Sequence, residues 1–214
     1  MTPSVPIVEF RGVGLRVGTT TILRSVDLVV DPGQAIGLFG ANGAGKTTLL
    51  RVLGTLSRPT EGLARVLGVD LTTTDRYDLR PRIGLVGHTP ALYPELTLRE
   101  NLAFAAEVMD VARSRVDEAL AMVGLAGAAE RPAGACSHGM QRRAEFAREL
   151  MVERDLLLLD EPHSALDRDA VDLVEGLVAR TLDRGGAAVL VSHDRDRVAK
   201  MADRCVELEA GVLR

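Results

Sequence analysis

The segment Gly40-Ala41-Asn42-Gly43-Ala44-Gly45-Lys46-Thr47 fits G-x-x-x-x-G-K-[ST] at every position, and no other stretch constrains the fold as strongly. The apolar run before it, Ala35-Ile36-Gly37-Leu38-Phe39, reads as a buried strand, and Thr48 to Leu53 reads as a helix. A glycine-rich loop between a buried strand and a helix is a phosphate-binding unit. Its glycines let the backbone curl until successive N–H groups point inward, and the helix turns its positive end toward the same anion. In such a loop the lysine, here Lys46, bridges the β- and γ-phosphates, and the hydroxyl of Thr47 faces a magnesium ion. Gly40, Ala41, Asn42, Gly43, Ala44, Gly45, Lys46, Thr47 and Thr48 are therefore expected to cradle a nucleotide.

The remaining pattern supplies a sheet to carry that loop. Val5 to Phe10 and Thr21 to Val30 are strand-like, Asp31-Pro32-Gly33 makes a turn, and Ile83 to Val86 reads as a short buried strand. Towards the C-terminus, Leu156 to Leu159 reads as a strand, Asp167 to Leu182 as a helix, Ala187 to Val191 as a strand, and Arg195 to Met201 as a short helix. Such alternation implies a parallel sheet flanked by helices. Between these halves, Thr97 and Glu100 stand at the spacing of a capping box, and Leu102 to Val108 is helical. Val116, Ala119, Leu120 and Val123 mark the apolar face of another helix, so Thr89 to Met151 reads as a helical insertion.

Composition narrows the setting. A chain of 214 residues, 46% apolar, is most simply one domain with a real core. No apolar run approaches the roughly 20 residues of a membrane-spanning helix. The N-terminus lacks a basic region followed by a hydrophobic one, so no secretory signal is expected. A net charge of −4 and an aromatic content of 3% with no Trp argue against a nucleic-acid partner. Cys136 and Cys205 are far apart without metal-ligand spacing, and reduced thiols are expected.

A second acidic element completes the site. In Leu156-Leu157-Leu158-Leu159-Asp160-Glu161 two carboxylates follow an apolar strand, at the sheet edge where ligands bind. Asp160 is expected in the magnesium shell, and Glu161 is expected to position or deprotonate an attacking water. With these residues in view, the chain resembles the ATPase subunit of an ABC (ATP-binding cassette) transporter over nearly its whole length. Ser137-His138-Gly139-Met140 resembles a variant of that family's signature, and Ser164-Ala165-Leu166-Asp167 resembles the loop that crosses to the other protomer. His193 matches the family's switch histidine at the γ-phosphate, and Leu92 to Thr97 with Glu100-Asn101-Leu102 resembles the segment that opens its helical subdomain.

The resemblance implies an α/β P-loop NTPase: a mixed core sheet flanked by helices, an N-terminal antiparallel β subdomain and an inserted helical subdomain. Residues 1–88 and 152–214 would form the nucleotide core, and 89–151 the helical part. It implies ATP and Mg2+ as ligands, with Lys46, Glu161 and His193 as the catalytic set. Ser137 and Gly139 would face the ATP of a second, head-to-tail copy, and a separate membrane-spanning subunit would supply the transport path from the inner membrane's cytoplasmic face. Three positions depart from the family pattern. Val17 stands where an adenine-stacking aromatic is usual, which implies weaker base selectivity. His88 replaces the usual glutamine and would contact a magnesium-bound water or serve loop packing, and His138-Gly139-Met140 replaces the commoner Gly-Gly-Gln. The Gly87-His88 loop and the short chain look most similar to the subunit associated with haem export in cytochrome c maturation. A motor for another exporter, a soluble ABC-type ATPase and a P-loop kinase stand as alternatives. An exporter motor of the more general kind would carry a longer C-terminal extension.

Overall fold

The structure, a computed structural model, describes residues 5–163 and 168–214. The segment Ser164-Ala165-Leu166-Asp167, matched above to the loop that crosses to a second protomer, lies outside the described residues. In chain order the first elements are β1 (Val8–Val17), β2 (Thr20–Val30), β3 (Ala35–Phe39), α1 (Lys46–Leu53), β4 (Glu61–Val66), β5 (Val69–Asp70) and β6 (Ile83–Val86). They are followed by α2 (Leu98–Val108), α3 (Arg115–Met122), α4 (His138–Leu150), β7 (Leu156–Asp160), α5 (Arg168–Asp183), β8 (Ala187–Val191), α6 (Arg195–Val198), β9 (Arg204–Glu209) and β10 (Val212–Leu213).

Two compact units result. One comprises Met1–Leu85, Arg154–Glu161 and Val178–Arg214, and the other Val86–Glu153 and Pro162–Leu177.

In the first unit β3, β7 and β8 are buried at every position, as continuous apolar runs covered on both faces must be. They lie in a six-stranded sheet of order β10-β9-β3-β8-β7-β6. β3 runs parallel to β8 and β9, β7 parallel to β8, and β10 turns back antiparallel to β9, so the sheet is mixed. The second sheet, β2-β1-β4-β5, is antiparallel. Val8, Phe10 and Leu28 from that sheet join Ile36, Leu38, Leu49, Leu158 and Val189 in one apolar core.

β1 begins at Val8 and runs to Val17, not from Val5 to Phe10, because register shifts carry it past Gly12 and Gly14 in pairing with β2. α6 ends at Val198, short of Met201. Cys136 and Cys205 are free thiols, the first half-buried and the second exposed.

The second unit is built from helices whose starts are chemically marked. Thr97 caps α2: its hydroxyl accepts the Glu100 N–H at 3.1 Å, while the Glu100 carboxylate accepts the Thr97 N–H at 2.8 Å. The Thr97 backbone N–H, helped by the hydroxyl, holds the Glu100 carboxyl below its ordinary range. Asn101 folds the preceding segment over the helix, accepting the Tyr93 N–H and donating to the carbonyls of Tyr93, Leu96 and Thr97. α2 therefore starts at Leu98, four residues before the run that reads as helical in the sequence.

Candidate nucleotide site

β3 delivers the chain into the loop at Gly40, where φ is +148° and a Cβ would lie 2.3 Å from the Leu208 carbonyl oxygen. Only glycine fits so close a backbone approach. Ala41, Asn42 and Gly43 are exposed, and Ala44 is buried. α1 then begins at Lys46 with Gly45 as its N-cap, with neither a capping side chain nor an acidic residue in its first turn. The first N–H groups and the positive end of the helix are thereby left to an anion. Lys46 is buried, and its Nζ donates to the carbonyl oxygens of Gly40 at 2.7 Å and Ala41 at 3.1 Å, so the ammonium lies over the start of the loop. Thr48 is half-buried behind it.

β7 brings its last residue, Asp160, to the same place, where the Thr47 hydroxyl donates to Asp160 Oδ2 at 3.1 Å. A hydroxyl and a carboxylate are hard oxygen donors. Among the described residues no group of three or more His, Cys, Asp or Glu side chains is placed to hold a metal. Such a pair suits Mg2+, which takes one or two protein oxygens and completes its shell with phosphate and water.

Glu161 follows with φ +52°, a left-handed conformation uncommon outside glycine. Its N–H donates to the Val191 carbonyl at 2.8 Å, tying the end of β7 to the end of β8. The carboxylate turns onto the next two residues: Oε2 accepts from the Ser192 hydroxyl and the His193 N–H, each at 3.3 Å, and Oε1 lies 3.5 Å from His193 Nε2. The structure thus gathers Lys46, Thr47 and Asp160 in one cluster, and Glu161 and His193 in another, all in the first unit. Ser192 was not legible as a functional residue, since a serine at a strand end carries no signal until its neighbour is known. Val17 stands at the exposed end of β1, paired with Thr20 and 61% accessible.

Ser137, Gly139 and His88 belong to the second unit. Ser137 is the N-cap of α4, its hydroxyl accepting the Met140 N–H at 3.3 Å, and Gly139 lies half-buried in the first turn. His88 is exposed on a loop whose two ends are fastened to α4. Arg142 donates to the Gly87 carbonyl, and Glu145 Oε1 accepts the Ala91 N–H at 2.9 Å. Arg142 and Glu145 are both fully buried and face each other at 3.3 Å. Burial pushes the Glu145 carboxyl above its ordinary range, against the Ala91 N–H and the nearby Arg148 and Arg142.

A phosphate loop on a buried parallel strand, with a Thr–Asp pair beside it and a second acid directly after that aspartate, defines a P-loop nucleotide-binding protein. The family model described as ABC transporter matches residues 23–164, and the chain belongs to that family as an ATP-binding, ATP-hydrolysing subunit. Among its relatives is the cytochrome c biogenesis ATP-binding export protein CcmA 2 of Cupriavidus metallidurans, 38% identical over 88% of this chain and 90% of that protein. The Fe(3+) ions import ATP-binding protein FbpC of Brucella abortus is 35% identical over 95% of this chain but only 59% of its own length. A dimeric ATP-binding cassette solved in a post-hydrolysis state with ADP and phosphate superimposes with a TM-score of 0.83 at 28% identity, covering 97% of this chain and 96% of that one.

Proposed function

We propose that the chain is the ATP-hydrolysing motor of a haem exporter serving cytochrome c maturation, bound peripherally to the cytoplasmic face of the inner membrane. The carrying observation is the likeness to a cytochrome c biogenesis export ATPase along 90% of that protein's length, whereas the iron importer's match stops at 59% of its own. A motor for another exporter is the alternative, since relatives of several transport classes share the cassette, among them a macrolide export protein. Among the described residues no helix is long and apolar enough to cross a membrane, and in this reading a membrane-spanning subunit supplies the transport path. An exposed edge-to-face pair in the second unit, Tyr93 and Phe104 with ring centres 5.5 Å apart, supplies an aromatic surface for a helix of that subunit.

The residues divide the chemistry as follows. Lys46 and the start of α1 neutralise the β- and γ-phosphates, and Thr47 and Asp160 would hold Mg2+, which would supply further positive charge at the phosphate oxygens. Glu161 accepts a proton from water as the water oxygen bonds to the γ-phosphorus and the bond to ADP breaks. His193 is assigned to hold the transferred phosphoryl group, and Ser137 and Gly139 to face the ATP of a second copy in a head-to-tail dimer.

The test is to solubilise native membranes gently, capture the chain and identify its stoichiometric companion. A multi-span subunit carrying haem is the expected result. A multi-span subunit of another kind would replace the substrate and keep the motor, and no membrane companion would overturn the transport assignment.

A further inference from the structure

We infer that Ser192 is the positioning residue of the hydrolytic base, fixing one oxygen of the Glu161 carboxylate while the other takes the proton. The inference rests on the assignment of Glu161 as base made above.

Ser192 is only 3% exposed, directly after β8. Its Oγ accepts the Asp194 N–H at 3.1 Å, which occupies the acceptor side of the hydroxyl. The hydroxyl proton is then left for Glu161 Oε2 at 3.3 Å, an orientation set by the turn rather than chosen by a free rotor. The His193 N–H reaches the same Oε2, so this oxygen is held by two donors from one tight turn. Oε1 has a different partner, the His193 imidazole at 3.5 Å, whose side chain is 62% exposed.

The asymmetry has a chemical meaning. A base must keep its geometry while one oxygen changes partners. The buried Ser192 hydroxyl and the backbone N–H form the lasting grip, and the exposed imidazole forms the exchangeable one. When His193 turns to a phosphoryl group, Oε2 stays anchored and Oε1 faces the water. The register of the sheet supports the same assignment: Asp160 pairs with Val191, and the Glu161 N–H binds the Val191 carbonyl. The backbone of Glu161 is thus fastened to Val191 and its carboxylate to the next two residues, Ser192 and His193, at the position where its φ is +52°.

Three variants at Ser192 are compared with Glu161→Gln by steady-state ATPase assay. Ser192→Ala should lower kcat about tenfold while the KM for ATP stays within about twofold, because the grip acts on the base and not on nucleotide binding. Ser192→Thr, which keeps the hydroxyl, should recover most of the rate. Ser192→Cys, similar in size but a weak donor, should fall with the alanine variant. Wild-type kcat in Ser192→Ala or Ser192→Cys would overturn the inference, as would an alanine defect expressed wholly in KM. Glu161→Gln reports separately on the base. If it still turns over while the serine variants do not, Glu161 is not the base and the pairing falls with it.

Discussion

The phosphate loop leans on the C-terminal hairpin, and one added methyl group tests how much. The turns Leu67-Gly68, between β4 and β5, and Ala210-Gly211, between β9 and β10, are built alike. Both residues of each lie at positive φ, 50° and 81° in the first and 47° and 84° in the second. An alanine replacing either glycine pays the same left-handed penalty, roughly 1 kcal/mol. Their surroundings differ. A Cβ on Gly68 would meet nothing within 4 Å, whereas one on Gly211 would sit 2.2 Å from the Ile22 carbonyl oxygen. The backbone at Gly211 must then move by about 1 Å to restore an ordinary contact. Two hydrogen bonds depend on its position: the Gly211 N–H donates to the Ala44 carbonyl of the phosphate loop at 3.1 Å, and the Gly211 carbonyl accepts the Arg24 N–H at 2.8 Å. At about 1 kcal/mol each, their weakening brings the cost of Gly211→Ala to about 2–4 kcal/mol, against about 1 for Gly68→Ala. The loop consequence is specific, since Ala44 immediately precedes the Gly45 cap of α1. ATP affinity should fall about three- to fivefold in Gly211→Ala, equivalent to roughly 1 kcal/mol, and remain unchanged in Gly68→Ala. Urea unfolding measures the first quantity and titration with a fluorescent ATP analogue the second. Equal stability losses, or unaltered ATP affinity in Gly211→Ala, would refute the bracing role of the hairpin.

Other perturbations report on different links. Lys46→Ala removes the cation that lies over the Gly40 and Ala41 carbonyls, and ATP affinity measured by calorimetry should drop by about 2–3 kcal/mol, the worth of charge-assisted hydrogen bonds; unchanged affinity would remove Lys46 from its role. At Glu145, burial raises the folded-state pKa above the unfolded value, so between the two values the folded protein holds the proton more tightly and stability declines as pH rises through that window. Glu145→Gln should erase that part of the stability–pH curve, visible by denaturant unfolding from acid to neutral pH. Glu145→Ala should be worse at every pH by about 3 kcal/mol, because the acceptor shared by the Ala91 N–H and Arg142 is gone. Thr97→Ala should cost about 1 kcal/mol in thermal unfolding through loss of the α2 cap; a smaller loss than in a surface Thr→Ala control would argue against the capping box.

What could be read from the sequence was what a single segment's chemistry dictates. The phosphate loop is legible because its glycines and Lys46 answer a demand of the backbone itself, and β3, β7 and β8 because a strand covered on both faces must be apolar throughout. The capping box of α2 is legible because its two hydrogen bonds close within four residues. The β4–β5 and β9–β10 hairpins escaped for the converse reason. Their turns use Leu67 and Ala210 where Asn or Asp would announce a left-handed pair, and β9 starts at the charged Arg204 and ends at Glu209.

The surroundings of Glu161 were hidden at a deeper level. Two strands that each end in polar residues, Asp160-Glu161 and Ser192-His193, are plain in the sequence, but their adjacency is not. Adjacency follows from the order β3-β8-β7, in which Asp160 is level with Val191, so the residues just beyond each strand emerge side by side. Had another strand separated β7 from β8, the strands being about 4.8 Å apart, Glu161 and Ser192 would stand roughly 10 Å apart and the carboxylate would need a different holder. The arrangement around Glu161 is therefore a property of strand order as much as of residue type, and a local motif search reaches the phosphate loop but stops short of the groups that hold the Glu161 carboxylate.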